Sequence, residues 1–288
     1  RKLNNLRHEM SLKKLVVISG DVEKNPGPND KVRMIKTNEK YGIMTYNCRG
    51  LGDNKKLKTV LNKSFNFGKS FDNYVVLIQE TMIKEDTILK YCWRGQYIFT
   101  PGNGHSQGCI TLISNRNRVE EIEHFGNRGH MIRIYNFSGN RDLLLVNLYA
   151  PCGYGKEKSS FFETVVKSME ENLGINDDVL IGGDLNLVFD LKEVKNRQIT
   201  KQEKNIGQKF LQYINNFDLH DCWETGSNHN YTWQRGKSMS RLDRIFYNLE
   251  GVKIKKSTTD WTIGTSDHAA VIVELEKIQA RYKHRQIN

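Results

Sequence analysis

Leu180-Ile181-Gly182-Gly183-Asp184-Leu185-Asn186 is the stretch on which the reading of this chain turns. The apolar run Val179–Ile181 delivers two glycines, then a carboxylate, then an amide one residue further on. A strand that stops there leaves Asp184 and Asn186 on one face of its C-terminal end, because strand side chains alternate with period two. The two glycines remove bulk, so the backbone of a substrate is expected to come close. Asp after a strand is also ordinary turn chemistry, and the rest of the chain decides between the two readings.

Four more apolar runs end in, or contain, a reactive polar group. Tyr41-Gly42-Ile43-Met44-Thr45-Tyr46 ends at Asn47, and Tyr74-Val75-Val76-Leu77-Ile78-Gln79 ends at Glu80. Asp142 to Leu148 ends at Tyr149, followed by Ala150-Pro151. Arg241-Leu242-Asp243-Arg244-Ile245-Phe246 places Asp243 inside a strand-like run, and Ser266-Asp267-His268 precedes the apolar run Ala269–Val273. Further strands are expected at Cys109–Ile113 and Met131–Phe137. Amphipathic spacing predicts helices over Leu57–Phe67, Ser159–Leu173 and Glu203–Phe217. The Gly-rich segment Pro101–Gly108 lacks a phosphate-cradling spacing and a following helix, and reads as a turn. Periodicity alone gives a mixed α/β chain.

The segments Asn47-Cys48-Arg49-Gly50-Leu51, Gln79-Glu80-Thr81, Asn147-Leu148-Tyr149-Ala150-Pro151, Tyr231-Thr232-Trp233 and Ser240-Arg241-Leu242-Asp243-Arg244-Ile245, in this order, carry a resemblance. From about Tyr41 to Ile278 the chain resembles the endonuclease/exonuclease/phosphatase superfamily, and within it the nucleases of LINE-type (non-LTR) retrotransposons. One position departs: the apurinic-repair branch has a second acidic residue two places after the first Asn, where this chain has Arg49. The resemblance implies a four-layer α/β sandwich of the DNase I type, with two packed mixed sheets flanked by helices. It implies a domain over 39–278, a tail over 1–38 and a basic linker over 279–288. The implied activity is nicking of double-stranded DNA to leave a 3′-hydroxyl. A reverse transcriptase domain is then expected further along the same reading frame, and the nucleus as the place of action. An apurinic repair nuclease, a phosphatase of the same fold and an inactive nucleic-acid-binding homologue are the rival readings.

The residue types suit this chemistry. Glu80, with Asn47 and Asp267, offers the hard oxygen ligands that Mg²⁺ or Mn²⁺ prefers, whereas the absence of a His cluster or Cys pair points away from zinc. Asp184 reads as the base that orients or deprotonates water, with Asn186 fixing its position. His268, protonated and aligned by Asp243, can donate to a phosphate oxygen, following the His–carboxylate logic of hydrolase triads. Tyr149 supplies a phenolic donor to developing charge. For Asp243 a second reading stands, as ion-pair partner of Arg241 or Arg244. Trp233 reads as core, and His105, His124, His130, His220 and His229 read as surface or core histidines without partners.

A separate signal lies at Gly20-Asp21-Val22-Glu23-Lys24-Asn25-Pro26-Gly27-Pro28. It resembles the 2A-like ribosome-skipping peptides of viruses and some non-LTR retrotransposons. Proline is a constrained secondary amine, so Pro28 is a poor nucleophile toward a strained Asn25-Pro26-Gly27 turn, and separation is expected between Gly27 and Pro28. The chain carries a formal charge of +11, of which +3 lies up to Pro28 and +8 beyond it. That balance suits a polyanionic partner. Five scattered cysteines, Cys48, Cys92, Cys109, Cys152 and Cys222, suggest a reduced, intracellular protein. Leu15–Ile18 is too short an apolar run to span a membrane. The start without Met and the stop soon after the last motif suggest a piece of a longer reading frame.

Overall fold

The apolar runs become strands because both of their faces are covered. The computed structural model describes residues 33–223 and 231–283. The first half runs β1 (Arg33–Asn47), α1 (Asn54–Gly68), β2 (Asn73–Gln79), α2 (Thr87–Cys92), β3 (Gln96–Thr100), β4 (Cys109–Ile113), β5 (Val119–His124), β6 (Gly129–Ile134) and β7 (Leu143–Tyr149). The second half runs α3 (Lys156–Asn172), β8 (Asp178–Asp184), β9 (Val194–Lys195), α4 (Lys201–Asn216), β10 (His220–Asp221), β11 (Trp233–Arg235), β12 (Ser238–Ser240), β13 (Asp243–Asn248), β14 (Val252–Asp260) and β15 (Ala270–Lys283).

Two six-stranded sheets form, in the orders β14-β15-β1-β2-β4-β3 and β10-β13-β8-β7-β6-β5, with a small sheet β11-β12-β9 beside them. Each large sheet has one parallel pair at its centre, β1 with β2 and β7 with β8, and antiparallel strands around it. Helix α1 connects the first parallel pair and α3 the second, as a parallel crossover requires.

The period-two alternation explains the layers. Ile43, Val75 and Leu77 of one sheet meet Leu143, Leu145, Leu180 and Ile245 of the other in a shared core. The intervening residues Met44, Val76 and Ile78 pack outward against Leu57, Val60 and Leu61 of α1. Leu144, Val146 and Ile181 pack outward against Phe162 and Val165 of α3 and Phe210 and Ile214 of α4. This is the four-layer sandwich expected from the resemblance. Among the described residues no helix is long and apolar enough to cross a membrane.

Side-chain caps mark two helix starts. Asp53 accepts from Lys56 N at 2.9 Å at the start of α1, and Thr200 accepts from Glu203 N at 3.1 Å at the start of α4. Such caps satisfy otherwise unpaired amides.

Three expectations need correction. The glycines before Asp184 do not clear space for a substrate: a Cβ on Gly182 would lie 2.4 Å from Leu77 Cδ1, and one on Gly183 1.9 Å from Leu148 O. Gly183 also has φ +139, so close packing between and within the sheets dictates both glycines. Asp243 is the first residue of its strand and not interior to it, because Leu242 N and Asp243 N both donate to Thr232 Oγ1, at 2.9 and 3.0 Å, instead of to a ladder. The run at Met131–Phe137 leaves the sheet after Ile134, and Asn136 turns the chain at φ +52. The β1–β15 ladder pairs Arg33 with Lys283 at one end and Thr45 with Val271 at the other.

Candidate active site

Strand direction brings the polar residues to one edge. Asn47 is in register with Gln79 across the first parallel pair, and Tyr149 with Asp184 across the second. Asn47, Glu80, Tyr149 and Asp184 therefore all emerge at the carboxyl ends of central strands, where α/β sheets place their ligands. Strand β13 runs antiparallel to β8, which sets Asp243 level with Asp184. Strand β15 runs antiparallel to β1, and His268 lies two residues before its start, at the same edge.

A hydrogen bond joins the sheets here: Asn47 Nδ2 donates to Asp184 Oδ2 at 2.8 Å. Asp184 Oδ1 accepts from Asn186 N at 3.0 Å, and Asn186 Nδ2 donates to Ala150 O at 2.9 Å. His268 sits between two carboxylates, with Nδ1 2.8 Å from Asp243 Oδ2 and Nε2 3.9 Å from Asp184 Oδ2. All three side chains are buried. Burial raises Asp184 to about 6, and Asp243 adds to the rise, while His268, Asn47 and the Asn186 amide oppose it. Burial works against a charge on His268, but Asp243 and Asp184 outweigh it and hold the imidazole at about 9. Near neutral pH His268 is thus a charged imidazole whose Nδ1–H is bonded to Asp243 and whose Nε2–H faces Asp184 without bonding it, and Asp184 is a carboxylate poised to take a proton.

The second reading of Asp243 does not hold. Arg241 Nη2 lies 2.6 Å from Asp221 Oδ1, Arg244 Nη1 lies 2.9 Å from Asp221 Oδ2, and both arginines also pair with Glu193.

Tyr149 is almost fully buried, with its hydroxyl 3.8 Å from Cys152 Sγ and the Arg128 guanidinium 5.5 Å from its ring centroid. Burial, with Glu80, Cys152 and Asp184 nearby, pushes its phenol up, so it stays a neutral donor. Glu80 adopts φ +54 and is half-buried, and its carboxylate has no hydrogen bond or ion pair to any described residue. Asp267 stands at the rim, its Oδ2 held by Arg49 Nη1 at 3.0 Å and Trp233 Nε1 at 3.3 Å.

Asn47, Asp184, Asn186, Asp243 and His268 therefore form one connected cluster, with Tyr149 and Glu80 beside it and Asp267 drawn to the rim. Gly27 and Pro28 lie outside the described residues.

Residues 44–268 match the Endonuclease/Exonuclease/phosphatase family. The chain belongs to this family. Its members are hydrolytic nucleases or phosphatases, and its nucleases generally depend on a divalent metal. No curated protein matches the sequence. Among solved structures, the endonuclease domain of TRAS1, a telomere-specific non-LTR retrotransposon, is 17% identical with a TM-score of 0.60, over 82% of this chain and 98% of that one. The AP endonuclease LMAP from Leishmania major is 16% identical with a TM-score of 0.63, over 82% and 88% of the two chains. The Xenopus laevis APE2 catalytic domain is 19% identical with a TM-score of 0.60, over 83% and 92%. At these identities the likeness is one of fold.

The side chains present fit a divalent cation. The unpaired Glu80 carboxylate is a hard ligand in need of a counter-charge, and Asp243 Oδ1 is a buried acceptor without a hydrogen bond. Asp184, Asp243 and His268 also bring ligand atoms within 4.8 Å of one another. A protonated imidazole cannot ligate, however, so the trio suits proton handling better than metal binding.

Sequence reasoning passed over several neighbours. Trp233 is half-buried at the site rather than in the core, and forms a backbone bridge with His268. Gln79 Nε2 donates to Asn147 Oδ1 at 2.8 Å, and Asn147 Nδ2 to Thr111 Oγ1 at 3.0 Å, a buried polar tie between the sheets beneath Glu80 and Tyr149. Gln79 closes an apolar run and Asn147 interrupts one, which is the signal that could have found them. Among the histidines left without a role, His130 is fully buried between Thr100 and Thr111, and burial lowers it to about 3.

Proposed function

We propose that this chain is a divalent-metal-dependent DNA endonuclease of a non-LTR retrotransposon. The observation that carries the reading is the Asp184–His268–Asp243 trio bonded through Asn47 to the other sheet, at the edge where Glu80 and Tyr149 also emerge. In the reaction, Asp184 orients a water and takes its proton while Asn186 helps hold it. The water oxygen bonds to phosphorus as the P–O3′ bond breaks, and the departing 3′-oxygen takes up a proton from solvent, leaving a 3′-hydroxyl and a 5′-phosphate. His268 donates to a phosphate oxygen, and Tyr149 donates to the charge that develops. Glu80, Asn47 and Asp267 would hold Mg²⁺ or Mn²⁺, which supplies Lewis-acid stabilisation of that charge. Arg49, ion-paired with Asp267, supports the retrotransposon reading over repair, since the repair branch is acidic at this position.

Supercoiled plasmid, an abasic duplex and an inositol phosphate, each with Mg²⁺ and with EDTA, separate the readings. Nicking of undamaged plasmid that requires Mg²⁺ is the expected result. Strong preference for the abasic duplex would make the chain a repair nuclease, and turnover of none of the three would make it a binding homologue.

The same reading places a reverse transcriptase domain further along the frame and the site of action in the nucleus. Ribosome skipping at Gly27-Pro28 is part of the proposal, supported by the Asp21–Pro28 motif. Residues Leu12 to Pro28, set between two reporters in a eukaryotic lysate, should yield two polypeptides, and Pro28→Ala should restore the fusion. A single fused product from the unmutated segment, alongside a working viral peptide, would reduce the motif to a turn.

A further inference from the structure

Lys158 occupies a place that does not favour a lysine. Its side chain is fully buried, in the first turn of α3, where the partial charge of the helix end is already positive. Burying an ammonium is expensive unless it is paired. Burial pushes it down to about 8, against the pull of Asp184, Cys152 and Glu203. Glu203 is not its ion-pair partner: that carboxylate is taken by Arg197, at 2.6 and 3.1 Å, and by the Tyr154 hydroxyl at 2.9 Å. The ammonium instead lies 4.5 Å from the Tyr154 ring centroid and donates to the backbone carbonyl of Asn186 at 2.7 Å.

That carbonyl belongs to the residue on which the site geometry depends. Asn186 has φ +50, a left-handed conformation that asparagine tolerates but that needs local support. Its N–H is held by Asp184, its Nδ2 by Ala150 and its carbonyl by Lys158. With those three atoms fixed, Oδ1 is the polar atom left to face a reacting water.

We propose that Lys158 is a positioning residue, which locks the Asn186 carbonyl so that the 184–186 turn presents Asp184 and Asn186 Oδ1 in a single geometry. The inference rests on the nuclease reading for its effect on rate, but its structural claim stands apart from that reading.

The test uses the full chain with Mg²⁺ and supercoiled plasmid, comparing wild type with K158M, K158Q, N186A and K158M/N186A. Misplacement by about 1 Å can cost on the order of 100-fold, so kcat for K158M should fall roughly 10- to 100-fold while KM stays within about twofold. K158Q keeps an N–H donor for the carbonyl and should recover most of the loss. N186A removes Oδ1 but keeps the backbone carbonyl that Lys158 holds, so K158M should cost clearly less in the N186A background than in the wild type, the remainder coming from Asp184. Losses that multiply in the double variant, or K158M nicking at the wild-type rate, overturn the proposal. If K158M folds poorly, a K158A/N186A cycle tests the same coupling. Amide exchange at Asn186 provides a readout free of activity: it should speed up about tenfold or more in K158M and much less in K158Q, and an unchanged rate in K158M overturns the inference even if the wild type proves not to be a nuclease.

Discussion

Asp184→Asn should leave a folded protein that binds DNA and hardly nicks it. Asp184 accepts from Asn47 across the sheets and faces the charged His268, so the substitution keeps the shape of the site and removes its base. A positioned acid or base typically contributes about 10²–10⁴-fold, and a loss of that order is expected in plasmid nicking. His268→Ala should lose a comparable factor by removing the proton donor. Binding should largely survive, because phosphate contacts elsewhere supply it. The same pair sets the pH profile. Asp184, raised to about 6, must be ionised, so activity falls as pH drops through that value. His268, raised to about 9, must be protonated, so activity falls again as pH climbs through that value. The bell belongs to the coupled cluster rather than to either residue alone. Wild-type nicking by Asp184→Asn, or a rate that keeps rising beyond about pH 10, would remove this mechanism.

How much of this was legible in the sequence follows from burial. Strands β1, β2, β7 and β8 are covered on both faces by the shared core and by helices, so they read as continuous apolar runs, and the polar residue closing each run was conspicuous. Asn47, Glu80, Tyr149 and Asp184 stood out for that reason. Strands β5 and β14 did not, because Val119–His124 and Val252–Asp260 are edge strands with charged faces and a bulge in each ladder. Long-range pairing left no local trace: Asn47 and Asp184 lie 137 residues apart, and the choice of Asp243 between His268 and its neighbouring arginines depended on where Asp221 and Glu193 arrive. Lys158 carried no signal at all. It looks like any helix lysine until the 184–186 turn is laid over it. The glycines before Asp184 were noticed for the wrong reason, since the atoms they make room for belong to Leu77 and Leu148.

Glu80→Gln separates two places for a metal. One is the oxygen set of Glu80, Asn47 and Asp267 that the family resemblance implies, and the other is the Asp184–Asp243–His268 trio, whose ligand atoms are close enough to share an ion. The trio is already organised by its own proton, with His268 Nδ1 bonded to Asp243, whereas the Glu80 carboxylate has no partner among the described residues. Glutamine keeps the shape of Glu80 and removes the charge a hard cation seeks. Losing even an outer partner of a metal site commonly costs about 10–100-fold, so loss of a direct carboxylate ligand should cost at least that at low Mg²⁺. A weakened site should also respond to mass action, and raising Mg²⁺ or Mn²⁺ should restore part of the rate, which loss of a structural contact would not allow. The measurement is plasmid nicking titrated with each metal for wild type and Glu80→Gln. An unchanged metal midpoint in the variant moves the ion to the trio, and wild-type activity that survives EDTA removes the metal from the mechanism.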